Sequence, residues 1–168
     1  MNNSRVATRL REQIGRFSGE VAAGLGLVAK RFVREMVYGI QASQSVVLTK
    51  IARHLQEETS LKKTHERLSR NLQRKELEKQ VQANILRLAK ARVKCDTLLI
   101  LDPGDVSKKY AQKMEYLGRV RDGSEGELTN GYWTMHVVGA ELESEDILPL
   151  YQRLYSAQAP EFVSENEE

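Results

Sequence analysis

Two sets of residues in this chain have the types and spacing to do chemistry. The first is Asp102, which follows the apolar run Thr97–Leu101, with Asp105 in the loop expected after it. An apolar strand delivers the side chain at its C-terminal end to a rigid rim, where a carboxylate can hold Mg²⁺ with little reorganisation. Two-metal phosphoryl transfer needs several carboxylates converging from different elements, so one strand-end acid is at most part of a site. The same Asp102-Pro103-Gly104-Asp105 is also good turn chemistry, and most aspartates so placed close a turn or cap a helix. The second set is Lys63, Arg67, Arg70 and Arg74, with Lys62 beside them. Steps of four, three and four stack the four along one side of a helix. Such a stripe can read guanine edges in a major groove or grip phosphates. Its bland alternative is a solvated helix face, where basic residues are common.

Other reactive types form no pattern. His54, His65 and His136 have no metal-ligand spacing, and structural roles suit them better. Cys95 is the single cysteine, so it makes neither an internal disulfide nor a cysteine-based metal site, and packing is its expected role. Trp133 reads as core rather than as a base-stacking platform. A glycine loop of the phosphate-binding kind is absent.

These residues need elements to position them. From Ser4 to Val37, apolar residues at Val6, Leu10, Ile14, Phe17, Val21, Leu25, Val28 and Phe32 recur at steps of three or four, one helix face. Gly24–Gly26 predicts a break in it, and Gly39 a C-cap that closes it. Ser43 or Ser45 can cap a helix carrying Val47, Leu48, Ile51 and Leu55, and Thr59 or Ser60 can cap the next, with Leu61, His65, Leu68 and Leu72 inward. Two helices joined by a short polar stretch have the outline of a helix-turn-helix, here at about 46–74. A third helix is expected over Glu76–Arg92, with Leu77, Val81, Ile85 and Leu88 on its core face. At Asp96 the texture changes. Thr97–Leu101 reads as a buried strand, Val106–Asn130 as a polar stretch, Tyr132–Gly139 as a second strand and Ile147–Tyr155 as a third, held by Pro149 to a sheet edge or a strand start.

Charge divides the chain in the same place. Its 168 residues carry a net charge of +3, yet residues 1–95 hold 20 Lys+Arg against 8 Asp+Glu, and residues 96–168 hold 6 against 15. A basic half suits a polyanion such as DNA, because neutralised phosphates release counterions; a solvated helical bundle is the plainer account. No apolar run approaches the roughly 20 residues of a membrane span. The N-terminus MNNSRVATRLREQIGRF lacks the apolar core of a secretory signal, which with the lone cysteine makes the cytoplasm the expected location and a membrane no partner.

The run LLILDPGDVSKKYAQKMEYLGRVRDGSEGELTNGYWTMHVVGAEL, with ILPLYQRLYSAQAPEF and SENEE after it, resembles the start of the catalytic domain of bacterial insertion-sequence transposases with a DDE motif. SVVLTKIARHLQEETSLKKTHERLSRNL resembles, less specifically, the helical region ahead of that domain. The resemblance implies an RNase H-like fold, an open sheet with helices on its faces. It makes Asp102 the first catalytic and metal-binding Asp, with Asp105 as the alternative, and places Lys108–Arg121 near the active site. Mg²⁺ or Mn²⁺ is implied for the complete family enzyme, and double-stranded DNA at the element's terminal repeats for its partner. A second copy or a full-length transposase is a further partner. The family's second Asp and its Glu would fall beyond Glu168, so the expectation is a truncated N-terminal part without strand-transfer activity; a helix-turn-helix DNA-binding regulator is the alternative. The fold class expected is α+β. Residues 1–94 form an all-α DNA-binding bundle with contacts from Lys62, Lys63, Arg67, Arg70 and Arg74, and residues 95–168 the first three strands of an incomplete RNase H-like α/β domain.

Overall fold

The computed structural model describes residues 3–141, 147–164 and 167. The terminal run Ser164–Glu168, which by sequence reads as the start of a further helix, lies largely outside the described residues. Among the described residues five helices precede four strands: α1 (Asn3–Val21), α2 (Leu27–Ser43), α3 (Leu48–His54), α4 (Leu61–Leu72), α5 (Lys75–Lys90), β1 (Leu98–Ser107), β2 (Gly118–Arg121), β3 (Leu128–Ala140) and β4 (Ile147–Tyr155). The chain is therefore α+β, and it divides into two compact units, Met1–Asn84 and Ile85–Glu168.

In the helical unit, periodicity becomes packing. Phe32, Ile51 and Leu68, one from each of α2, α3 and α4, are almost wholly buried. The break between α1 and α2 comes at Gly24, whose φ of 81° is the left-handed region that glycine enters without steric cost. Asn84 of α5 is buried and donates from Nδ2 to the carbonyls of Val21 and Ala23, at 2.9 and 2.8 Å. It thereby satisfies acceptors that the end of α1 leaves open. Ser60 caps α4, its Oγ accepting from the Lys63 N–H at 3.5 Å. Before α3 no side chain caps the helix; Ser45 Oγ accepts instead from the N–H of Val47, the N-cap residue.

Gly39 does not close a helix. It lies inside α2, which runs on to Ser43, and it is buried against α3. A Cβ there would stand 2.4 Å from Ile51 Cγ2, so close packing rather than capping selects glycine. On α1 the expected inner face is only partly used. Val6, Leu10 and Phe17 remain about half exposed, and among the described side chains of α1 burial is confined to Ser18 and Val21 near the C-terminal end. Leu72, expected inward on α4, is also exposed.

The second unit is a fully antiparallel sheet built on β3. β1 pairs along one edge of it from Leu98↔Ala140 to Ser107↔Gly131. β4 and the short β2 pair with the other edge. Four strands stand where three were expected, because the Val106–Asn130 stretch holds β2 and its hairpin turn into β3. Pro149 of β4 sits where the register shifts beside Val137/Val138, on a strand that among the described residues pairs only with β3.

β1 also departs from expectation. It does not stop before Asp102 but continues through Asp102-Pro103-Gly104-Asp105 to Ser107. Three local features let turn-type residues extend. The Lys108 N–H donates to the Asn130 carbonyl in the continuing register, so even-numbered residues face β3 and Pro103 directs its missing N–H to the free edge. Gly104 lies under Thr134, whose Oγ1 would be 3.0 Å from a Cβ. Asp105 accepts from the Gly123 N–H at 3.0 Å and so holds the β2–β3 turn against β1. The run Leu98–Leu101 is exposed on both faces, whereas its composition reads as a buried strand. A long apolar edge of this kind invites pairing with another strand.

Candidate nucleic-acid interface and the Asp102 strand

The α3–α4 pair sets the geometry of the basic stripe. The two helices are joined by residues 55–60, and Leu68 packs inward while Thr64 and Asn71 are buried beside it. That orientation leaves Lys62, Lys63 and Arg70 exposed on α4. Arg74 lies past the end of α4, where its guanidinium donates to Asn71 Oδ1 at 2.9 Å and approaches Glu76. It belongs to the junction with α5 and does not continue the stripe.

Arg67 is half-buried and turned toward the protein. Nη1 lies 2.5 Å from Glu35 Oε2 of α2, and Nη2 lies 2.8 Å from Glu57 Oε1 in the turn before α4. Arg31 binds the same two carboxylates, with Nε at 2.6 Å from Glu35 and Nη2 at 2.8 Å from Glu57. Thr64 Oγ1 donates to the other oxygen of Glu57 at 2.9 Å. Burial pushes the Glu57 carboxyl up, but the hydrogen bonds from Arg67 and Thr64 and the charges of Arg67 and Arg31 outweigh it and hold the group low. Burial likewise opposes the Arg67 charge and is overcome by Glu35 and Glu57, so its pKa is raised. Two arginines and two glutamates thus neutralise one another and fasten the α3–α4 turn to α2. No local pattern in the sequence marks this network. Its one signal is Glu57 in the polar stretch, which becomes informative only when α2 passes beside it.

In the sheet, Asp102 is an exposed mid-strand residue opposite His136, and Asp105 is half-buried opposite Trp133. Side chains alternate across a strand, so the two aspartates lie on opposite faces of the sheet. They do not converge. Among the described residues no three His, Cys, Asp or Glu side chains come together as a metal site. Asp102 alone supplies too few ligands for Mg²⁺, which takes near-ideal octahedral coordination. Just after the Lys108–Arg121 segment lies a separate feature, the turn at Asp122. Asp122 Oδ1 accepts from the Ser124 N–H, the Ser124 hydroxyl and the Glu125 N–H, at 3.0, 2.6 and 3.2 Å. Those bonds, the hydroxyl first, draw the Asp122 carboxyl down to about 2. Lys109 pairs with Glu125 and lies 3.9 Å from Asp122 Oδ2, closing the turn.

The remaining groups hold plain positions. His136 is half-buried within β3, Trp133 likewise, and Cys95 is exposed rather than packed. Among the described residues no helix is long and apolar enough to cross a membrane. No family model, no curated protein and no solved structure matches this chain.

Proposed function

We propose that this chain is the DNA-binding region and the first sheet strands of a DDE-type insertion-sequence transposase. The single observation that carries the reading is the residue pattern from β1 through β4, LLILDPGDVSKKY to ILPLYQRLY, with Asp102 displayed on the first strand. The exposed apolar residues on both faces of β1 are what the first strands of a larger RNase H-like sheet would present. In the helical unit, Lys62, Lys63 and Arg70 form a cationic edge on the second helix of a helix-turn-helix outline. Opposite charge and counterion release then draw it to duplex DNA such as element terminal repeats.

One aspartate cannot place two metal ions or align water with a phosphodiester. These 168 residues alone therefore bind DNA without cutting it. That is also where the second reading, a non-catalytic helix-turn-helix regulator of transposition, takes its support: the α3–α4 pair belongs to the helical unit Met1–Asn84 and not to the sheet, and among the described residues no three metal-ligand side chains come together at Asp102. Incubating the purified chain with Mg²⁺ or Mn²⁺ and labelled duplex DNA tests the proposal. Salt-sensitive binding without strand cleavage is expected, whereas cleavage lost on Asp102→Ala would show a complete active site.

A further inference from the structure

Arg11 of α1 and Lys30 and Arg34 of α2 are exposed, and none of them makes an ion pair among the described residues. They surround a groove along the α1–α2 packing. A cavity of about 440 Å³ has Lys30 and Arg34 on one side and Gly15, Ser18, Gly19 and Ala22 on the other. A second cavity, of about 460 Å³, shares Gly15 and Arg34 with the first and reaches Arg11 and Tyr38. Glu35 and Glu57 also touch the second cavity, but Arg31 and Arg67 already neutralise them. The groove is therefore cationic.

The glycines of α1 supply an independent argument. Gly15 and Gly19 lie inside a helix, where each costs about 1 kcal/mol relative to alanine. Neither has a positive φ, and a Cβ at either would meet nothing within 4 Å. Packing within this chain does not require them, in contrast to Gly39. Their effect is to keep the floor of the groove open and let another backbone approach the helix closely.

We infer that this groove is a second DNA contact, in which Arg11, Lys30 and Arg34 bind phosphates of a strand lying against the glycine face of α1. The inference rests on the DNA-binding reading above and extends the interface beyond α4. The test is anisotropy of a labelled duplex of about 30 base pairs with the full chain, at about 50 and about 200 mM salt. Lys30→Gln with Arg34→Gln should weaken binding about 30-fold near 0.15 M salt and lower the salt slope by about 2, the loss of two phosphate contacts. Gly15→Gln with Gly19→Gln should raise the thermal midpoint of the helices, yet weaken binding by filling the groove. A purely structural role for the glycines cannot move stability and affinity in opposite directions. Wild-type affinity in both double variants, alongside loss of affinity in Lys63→Gln with Arg70→Gln, would overturn the groove and leave the α4 interface standing. Absence of salt-sensitive binding by the wild-type chain would overturn both.

Discussion

Arg67 Nη1 lies 2.5 Å from Glu35 Oε2, joining α4 to α2 across the helical unit. A side chain in the middle of an apparent DNA-facing stripe is thus committed to the protein itself. Arg67→Ala leaves two half-buried carboxylates short of a donor and should cost the helical unit about 2 kcal/mol. For a unit of this size that is a drop of about 10 °C in the thermal midpoint followed by helical circular dichroism. Arg67→Lys should not restore it, because one ammonium cannot reproduce a guanidinium that bridges two carboxylates. An unchanged midpoint with lost DNA affinity would instead put Arg67 on the nucleic-acid face.

Lys63 and Arg70 should show the opposite separation. Both are exposed on α4, and neither is held by a carboxylate among the described residues. Replacing both by glutamine should leave the folding stability within about 0.5 kcal/mol of wild type. The logarithmic salt slope of duplex binding should fall by about 2. Equal binding by variant and wild type would remove α4 from the interface.

Gly39→Ala sets helix propensity against packing. Alanine favours the helix by about 1 kcal/mol, but its Cβ falls 2.4 Å from Ile51 Cγ2, at a side chain with no exposure. Overpacking of this kind costs about 1–3 kcal/mol, so urea denaturation should find the variant less stable. A gain in stability would show that α2 and α3 can separate without loss.

Asp122 gives the sheet a dependence on acid. Its carboxyl is drawn from 3.8 to about 2 in the folded chain. A group depressed on folding contributes stability that is complete above its unfolded value and is lost as pH falls through its folded one. The contribution should therefore vanish between about pH 4 and about pH 2. Trp133, the only tryptophan, lies on β3 and reports the loss by fluorescence. Asp122→Asn should flatten this part of the acid profile, and superimposable profiles for the two proteins would remove Asp122 as its source.

Much of the helical unit is legible in the sequence because its signals are local. Apolar steps of three and four mark the helices, Gly24 marks the break between α1 and α2, and Ser60 marks the start of α4. What is not legible depends on residues distant in sequence. Arg67 reads as part of a stripe until Glu35 is brought beside it. Gly39 reads as a cap until Ile51 fills the space where a side chain would go. Asp102-Pro103-Gly104-Asp105 reads as a turn, and only the long β3 beside it, with Thr134 over Gly104 and Gly123 at Asp105, draws it into a strand. The candidate site follows the same division. The charge of Lys62, Lys63 and Arg70 is visible in the sequence, whereas the placing of Asp102 and Asp105 on opposite sheet faces follows from the register of β1.

The role proposed for the helical unit is to bind duplex DNA through several phosphates. Its most direct test is the equilibrium affinity of the 168-residue chain for a labelled duplex between about 50 and about 200 mM salt. Contacts from Lys62, Lys63 and Arg70 alone predict a loss of about 40-fold over that range. Binding that is absent, or that does not change with salt, would rule that role out.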